Sequence, residues 1–164
     1  MQDIKIEAEK INFKSRVNGI IIKDNKVLTV QMNHNGFYCL PGGHIEIGED
    51  SKTAVLREMK EEVNIDNKIV NLVSIIENFF ERKNGKKFHE ISFYYLLEPI
   101  NNIETKDYEI IEHDKDQDVL LEFKWIPLKD LNSFDFRPKF LKEKLQNNNF
   151  EFSHAIIKEK NSGN

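Results

Sequence analysis

Residues 40–65 read LPGGHIEIGEDSKTAVLREMKEEVNI, and this stretch decides the fold. A Pro-Gly-Gly turn precedes a helical pattern in which Glu58, Glu61 and Glu62 share one side, because residues three and four apart are neighbours on a helix. Like charges at this spacing each cost a helix about 0.2–0.5 kcal/mol, and the helix dipole adds to the cost near the C-terminus. A sequence that breaks local rules in this way indicates a functional role for the carboxylates. Hard divalent cations are the natural counter-charge.

The glutamates belong to a longer pattern of fixed spacing. Gly43 is followed by five residues and Glu49, and then by seven residues and the run 57–65, Arg-Glu-Met-Lys-Glu-Glu-Val-Asn-Ile. The pattern resembles the Nudix box, and residues 43–65 match each defined position except the last glycine, which is Asn64. Asparagine best replaces glycine in the left-handed conformation that ends a helix, so the substitution is mild. A solvated acidic helix face is the alternative, and the shared register favours the Nudix interpretation.

The resemblance implies an enzyme that hydrolyses the diphosphate linkage of a nucleoside-diphosphate-linked compound. Nucleoside triphosphates, ADP-ribose-like compounds and dinucleoside polyphosphates are the candidate substrates. A divalent metal, Mg²⁺ or Mn²⁺, would neutralise phosphate oxygens and activate the attacking water. The resemblance assigns Glu58 and Glu62 as the main metal ligands, Glu61 as a third ligand or one that acts through water, and the Gly42 carbonyl as a further ligand. Without metal, such crowding should raise at least one carboxylate pKa.

Further roles around the box follow from the same resemblance. Arg57 and Glu49 form an ion pair in the family that braces the loop against the helix. Glu62 can itself act as general base, although this assignment varies within the family. Many members take another acidic residue from a loop beyond the central strands. The sequence does not choose among the candidates, and a solvated acidic loop is the alternative for each of Glu109, Glu112, Asp114, Asp116 and Asp118.

Four residues outside the acidic helix are candidate substrate contacts. Arg16 could supply phosphate-binding charge, although surface solubility explains it equally well. His44 lies beside the Gly-Gly turn and could reach a phosphate, but the sequence favours a surface loop histidine. His89 and Glu90 are adjacent in a predicted strand, so their side chains face opposite sides and only one can face the cleft. A cross-strand pair is the alternative for these two.

Composition limits the class of protein. The chain has 164 residues and a formal net charge of −4, which favours one domain over residues 1–164 and makes a nucleic-acid partner unlikely. The single cysteine, Cys39, suits a reducing cytoplasm and is expected to be a buried structural thiol. We predict no signal peptide, no membrane partner and a polar tail from about residue 158. Many Nudix proteins are dimers, so a homodimer is the oligomer that the resemblance suggests.

The pattern of the remaining chain predicts an α/β fold, a Nudix-type α/β/α sandwich with a central mixed β-sheet. We expect helix 51–63, capped by Asp50 or Ser51, and a second amphipathic helix whose first turn contains Pro138. An irregular acidic stretch is predicted for 101–118. The predicted strands are 17–22, 27–32, 37–40, 68–80, 88–97, 120–128 and 150–157.

Two other functions compete with the hydrolase. A non-catalytic nucleotide-binding Nudix-fold sensor would regulate a partner, but such proteins usually show an eroded box, whereas all acidic positions are kept here. An isoprenoid diphosphate isomerase would need a catalytic cysteine beside the site, and Cys39 alone is a poor candidate. The sequence therefore favours the hydrolase.

Overall fold

The computed structural model describes residues 2–8, 11–82, 84–113 and 118–158. A mixed sheet dominates these residues, with strand order β6-β7-β3-β2-β5-β4-β8 and β1 added to β2. β2 pairs in parallel with β5, and β4 with β8, whereas the other pairs are antiparallel. The strands are β1 (Lys5–Glu7), β2 (Ile11–Lys23), β3 (Lys26–Met32), β4 (Asn67–Glu81), β5 (Lys87–Pro99), β6 (Tyr108–His113), β7 (Asp118–Pro127) and β8 (Ser153–Lys158).

The helices lie on opposite sides of this sheet. Helix α1 (Ser51–Val63) packs with the side chains of Val17 and Tyr95 in one core, and helix α2 (Phe140–Gln146) packs with those of Ile20 and Tyr94 in the other. Because neighbouring strand residues face opposite sides, the two cores occupy the two faces of the sheet. The predicted α/β/α sandwich is confirmed. No helix in the described part of the chain is long and apolar enough to cross a membrane.

Helix α1 begins and ends as its sequence predicts. The Asp50 carboxylate accepts hydrogen bonds from the backbone N–H groups of Lys52 and Thr53, at 2.9 and 3.2 Å. At the other end, Asn64 adopts the left-handed conformation with φ 53°. The helix approaches β2 closely at Gly19, where an added Cβ would lie 2.7 Å from the Met59 sulfur. These contacts fix the position of the acidic face relative to the sheet.

The sheet opens between β2 and β3, and the opening receives the Gly-Gly turn. The two strands pair only beside their hairpin, at Ile22↔Val27 and Lys23↔Lys26. Farther along, the segment 39–45 lies between them: the Val17 N–H donates to the Gly43 carbonyl at 3.0 Å, and the Gly19 N–H donates to the Pro41 carbonyl at 2.9 Å. The turn is therefore held by the backbone of the sheet.

The structure corrects several predicted elements. The stretch 101–118 is not irregular throughout, because Tyr108–His113 form β6 against β7, with Tyr108 and Ile110 packed on the core. Residues 37–40 make only isolated bridges through Tyr38 and Cys39, since the gap between the diverging strands has no room for a longer ladder.

The C-terminal elements also differ in their bounds. A 3-10 helix (Leu128–Ser133) follows β7, α2 begins at Phe140 instead of at Pro138, and the edge strand begins at Ser153. Lys158 ends β8, and the rest of the predicted polar tail lies outside the described residues.

Candidate functional site

Two glutamates of α1 contact the Gly42-Gly43 turn directly. The Gly42 N–H donates to the Glu62 carboxylate at 2.7 Å. An added Cβ on Gly43 would lie 2.2 Å from a Glu58 carboxylate oxygen, so that carboxylate lies against the glycine. Gly42 itself has φ +152°, and its added Cβ would lie 2.1 Å from the Val17 carbonyl oxygen. One glycine therefore allows contact with the sheet, and the other makes room for a carboxylate.

Arg57 connects the remaining acidic residues. Its Nε and Nη2 donate to the two Glu49 carboxylate oxygens, each at 2.9 Å, and its Nη1 donates to Glu58 at 2.8 Å and Glu61 at 3.0 Å. Nη2 also donates to the His44 carbonyl at 3.0 Å. The expected ion pair between Arg57 and Glu49 is therefore present in the structure, whereas the bracing role assigned to it stays a prediction.

Burial makes the two inner carboxylates hard to ionise. It raises the pKa of Glu62 to about 7, with the Glu58 and Glu112 charges adding to the effect and the Gly42 N–H and Arg16 opposing it. The pKa of Glu58 is also raised, mainly by burial, although the guanidinium of Arg57 opposes the shift. Removing a carboxylate from water disfavours its charged form, and a nearby cation restores it. A cation beside Glu58 and Glu62 would relieve this cost.

Some of the oxygen atoms at the Gly42-Gly43 turn are suitable ligands for a hard divalent cation. Within residues 2–8, 11–82, 84–113 and 118–158, no three His, Cys, Asp or Glu side chains already form a metal cluster. Glu58 and Glu62 nevertheless meet at the turn, and carboxylate and carbonyl oxygens are the donors that Mg²⁺ prefers. The Glu61 side chain is 62% exposed and pairs with Arg57, while the Gly42 carbonyl accepts from Arg16 Nη2 at 3.2 Å. Metal ligation by Glu61 and Gly42 stays a prediction.

Arg16 and Glu90 lie on the sheet face opposite α1. Although burial acts to lower the pKa of Arg16, the pKa is raised because the carboxylates of Glu90 and Glu62 are near. The Nε of Arg16 is buried and has no hydrogen-bond partner in the described structure. Glu90 is in register with Lys14, two residues before Arg16, and it accepts a hydrogen bond from Ser92 at 2.9 Å. The structure therefore brings Arg16 and Glu90 to one face.

The two histidines occupy different surroundings. His89 faces the other side of the sheet, stacked on Phe79 at 4.3 Å with Phe13 against its edge at 5.2 Å, so the structure does not bring it to Glu90 and Arg16. His44 forms a bridge with Arg16. Burial, and then the charges of Arg16 and Lys14, lower the pKa of His44 to about 4. His44 is therefore neutral at pH 7.

Cys39 is partly exposed, and its structural role stays a prediction. Burial raises the pKa of its thiol to about 11, so the reactive thiolate is not formed near pH 7. This chemistry disfavours a nucleophilic or isomerase role.

Strand β6 separates the acidic candidates outside the box. Glu112 shares its face with Tyr108 and Ile110, which pack on the α1 core, and its charge acts on Glu62. Glu109 pairs with Glu122 on the opposite face, and Asp118 pairs with His113 at 2.8 Å. Asp114 and Asp116 lie outside the described residues. Among the candidates in the described part of the chain, Glu112 is the one whose charge acts on Glu62.

The sequence interpretation missed an aromatic contribution from β6. Tyr108 stacks on Phe123 at 4.7 Å, and both line a cleft of about 390 Å³ with Tyr38. Asp107, Glu109, Glu122 and Lys124 complete the lining. A single tyrosine within an acidic stretch has no local signal that would have predicted this position.

Comparisons with known proteins agree with this architecture. An ADP-ribose pyrophosphatase of Methanocaldococcus jannaschii is 38% identical over 87 residues, 51% of this chain and 50% of that protein. A probable DHNTP pyrophosphohydrolase of Lactococcus lactis is 28% identical over 121 residues, 65% of this chain and 69% of that protein. The crystal structure of a MutT protein from Bacillus halodurans aligns with TM-score 0.62 and 17% identity, over 90% of this chain and 91% of that chain.

Fold and site together define an α/β domain built around a glutamate-rich helix and a Gly-Gly turn. A family model described as NUDIX domain matches residues 13–149, and the chain belongs to this family. The resemblance drawn from residues 43–65 is confirmed. The chain spans only half the length of the Methanocaldococcus protein that it matches.

Proposed function

We propose that this chain is a Mg²⁺- or Mn²⁺-dependent pyrophosphohydrolase that cleaves the diphosphate linkage of a nucleoside-diphosphate-linked compound. The observation that carries the proposal is the position of Glu58 and Glu62, two partly buried carboxylates with raised pKa values at the Gly42-Gly43 turn. The names of the relatives, an ADP-ribose pyrophosphatase and a probable DHNTP pyrophosphohydrolase, support the substrate class. ADP-ribose-like compounds, nucleoside triphosphates and dinucleoside polyphosphates remain the candidates.

The residues of the box divide the work between binding and support. When bound, the metal would neutralise phosphate oxygens and activate a water for attack. Glu58 and Glu62 would hold it, with Glu61 and the Gly42 carbonyl as further ligands. The Arg57 guanidinium is held by both carboxylate oxygens of Glu49 and donates to Glu58. Arg57 would therefore limit the motion of the Glu58 side chain.

A general base is needed to accept the proton of the attacking water. We propose Glu112 for this role, with Glu62 as the alternative. Glu112 lies on the α1 side of β6 and acts electrostatically on Glu62. The carboxylates of Glu109 and Asp118 face Glu122 and His113 instead.

Arg16 would bind a phosphate group of the substrate. The Nε–H of Arg16 has no hydrogen-bond acceptor among the described residues, whereas Nη2 donates to the Gly42 carbonyl. A guanidinium presents several donors in one plane, which suits phosphate oxygens. Glu90 would accept a hydroxyl group, and neutral His44 would donate to or accept from the substrate near the turn.

The first experiment is a substrate screen with Mg²⁺ and with Mn²⁺. The panel contains ADP-ribose, other nucleotide sugars, nucleoside triphosphates and dinucleoside polyphosphates, and product is detected by chromatography. We expect metal-dependent cleavage of at least one class, abolished by chelation. A thermal shift with a nucleotide but no product from any compound would favour the non-catalytic sensor and contradict the hydrolase.

We also propose a cytoplasmic location and a homodimer. The free, inert Cys39 supports a reducing compartment. Sedimentation at several protein concentrations measures the oligomeric state. A single species with the mass of one 19.4 kDa chain would contradict the dimer.

A further inference from the structure

The hydroxyl of Tyr108 is buried and has no hydrogen-bond partner among the described residues. Buried polar atoms are nearly always paired, and leaving one unpaired costs roughly 1–3 kcal/mol. A phenylalanine would fill the same space without this cost. The hydroxyl therefore needs an explanation outside the stability of the free protein.

Packing holds this hydroxyl in one direction. The Tyr108 ring lies nearly parallel to the Phe123 ring, with centroids 4.7 Å apart and an angle of 15° between the planes. Phe123 is 1% exposed and belongs to the core that includes α1, and Tyr108 packs against that core. A ring fixed in this way pre-organises its hydroxyl at little further entropic cost.

Tyr108 packs on the α1 core, within electrostatic range of Glu62, and does not bond to it. Burial, followed by the charge of Glu62, raises the pKa of the Tyr108 hydroxyl to about 12, so the group stays a donor at neutral pH. No hydrogen bond between the two side chains is present in the described structure. The hydroxyl is thus a neutral donor on the α1 side of β6, without an acceptor among the described residues.

We infer that Tyr108 is a catalytic residue whose hydroxyl donates a hydrogen bond to a diphosphate oxygen of the substrate beside Glu62. This inference rests on the proposed hydrolysis. A phosphate oxygen is the acceptor that such a site would receive, and a bond to a charged oxygen is stronger than one to a neutral acceptor. The adjoining cleft of about 390 Å³ provides room for a neighbouring part of the substrate. Its carboxylates Asp107, Glu109 and Glu122 disfavour phosphate there, so the nucleoside or sugar is the part that fits.

The test compares two tyrosines that differ in their hydrogen bonding. The hydroxyl of Tyr95 is paired with the Ser51 hydroxyl at 2.7 Å, at the start of α1, and this contact is structural. Tyr108→Phe and Tyr95→Phe each remove one buried hydroxyl and keep the ring. For each variant we would measure the Tm of the metal-free protein, kcat/KM with Mg²⁺ and the panel substrate that the wild type cleaves fastest, and inhibition by methylenediphosphonate, a diphosphate that cannot be hydrolysed.

The two variants should show opposite signatures. Tyr108→Phe is expected to keep or raise Tm, to lower kcat/KM about tenfold or more, and to weaken inhibition by methylenediphosphonate about fivefold. Tyr95→Phe is expected to lower Tm and to leave kcat/KM within about twofold. Unchanged kcat/KM or unchanged inhibition in Tyr108→Phe would overturn the inference, as would a loss of Tm, which would show a structural hydroxyl. A wild type that cleaves no compound would instead overturn the proposed hydrolysis, so the two failures are distinguishable.

Discussion

The backbone N–H of Gly42 donates to the carboxylate of Glu62 at 2.7 Å, across 20 residues of sequence. This bond joins the turn in the sheet opening to the last part of α1. The bond also gives the backbone N–H of Gly42 the acceptor that a backbone donor needs inside a protein. The position of the carboxylate therefore depends on the turn.

Glu62→Gln should reduce turnover about a hundredfold or more while the protein stays folded. The amide oxygen of glutamine can still accept from Gly42, but the amide can neither hold a divalent cation well nor accept a proton. Steady-state kinetics at saturating Mg²⁺, with circular dichroism as the check on folding, measures the effect. Glu98→Gln is the control, since Glu98 is paired only with Lys68 on the surface. Near wild-type turnover in Glu62→Gln would remove that residue from the mechanism.

The contribution of Glu62 to the stability of the metal-free protein should fall as pH rises from about 4.5 to about 7. Glu62 has a folded pKa of about 7 against an ordinary value of 4.5, so the folded state binds more protons than the unfolded state between these values. The stabilising contribution of the protonated form is complete below about 4.5 and is lost as pH rises through about 7. Thermal melts of the wild type and of Glu62→Gln across this range, in the presence of chelator, give this contribution as the difference between the two slopes, because His44 titrates with the opposite sign in both proteins. Equal slopes in the two proteins would contradict the buried, proton-binding carboxylate.

Alanine at the two turn glycines should have two different effects. In Gly42→Ala the Cβ meets the Val17 carbonyl oxygen at 2.1 Å, on a backbone with φ +152°, so Tm should fall strongly. In Gly43→Ala the nearest atoms to the Cβ belong to the end of the Glu58 side chain, at 2.2 Å, which can move away. We expect Gly43→Ala to keep most of its Tm but to bind Mn²⁺ more weakly, as titrated by electron paramagnetic resonance. The same loss of Tm in both variants would argue against the assigned contact with Glu58.

Arg57→Lys should lower kcat about tenfold or more, although it keeps the positive charge. Arg57 donates to both oxygens of Glu49 and also to Glu58, and a lysine cannot reproduce this fork. The Mg²⁺ concentration for half-maximal activity should rise at the same time, because Glu58 is released. An unchanged kcat with an unchanged metal requirement would show that the ion pair has no supporting role.

Glu112→Gln should lower kcat about a hundredfold, and the acidic limb of the pH–rate profile should change with it. Asp118→Asn is the matched control, because Asp118 was an equal candidate by sequence but is paired with His113. Its kcat should be close to that of the wild type. If the control loses activity and Glu112→Gln does not, β6 does not supply the base.

Local signals predicted the first helix well. Asp50 is a strong N-cap, Asn64 tolerates the left-handed conformation, and the residues between them carry an apolar stripe, so few nonlocal contacts were needed. The resemblance assigned Glu58 and Glu62 as the main metal ligands, and both carboxylates lie at the turn, although metal ligation stays a prediction. Strand alternation correctly separated His89 from Glu90, though not which of them faces Arg16.

The features that the sequence did not predict depend on contacts between distant segments. β6 reads Tyr-Glu-Ile-Ile-Glu-His, without a clear alternation of apolar and charged residues, and it becomes recognisable only when paired with β7. The contact of Arg16 with the Gly42 carbonyl requires the opening between β2 and β3. Tyr108 becomes significant only because Phe123, 15 residues later, fixes its ring beside Glu62. None of these relations leaves a pattern in a short window of sequence.

The most direct test of a cation at the turn is an anomalous difference map from crystals grown with MnCl₂, recorded at the manganese edge. We predict a peak within roughly 2.5 Å of carboxylate oxygens from both Glu58 and Glu62, beside the Gly42-Gly43 turn. A map without a peak there, with both side chains directed into solvent, would contradict the metal-dependent mechanism.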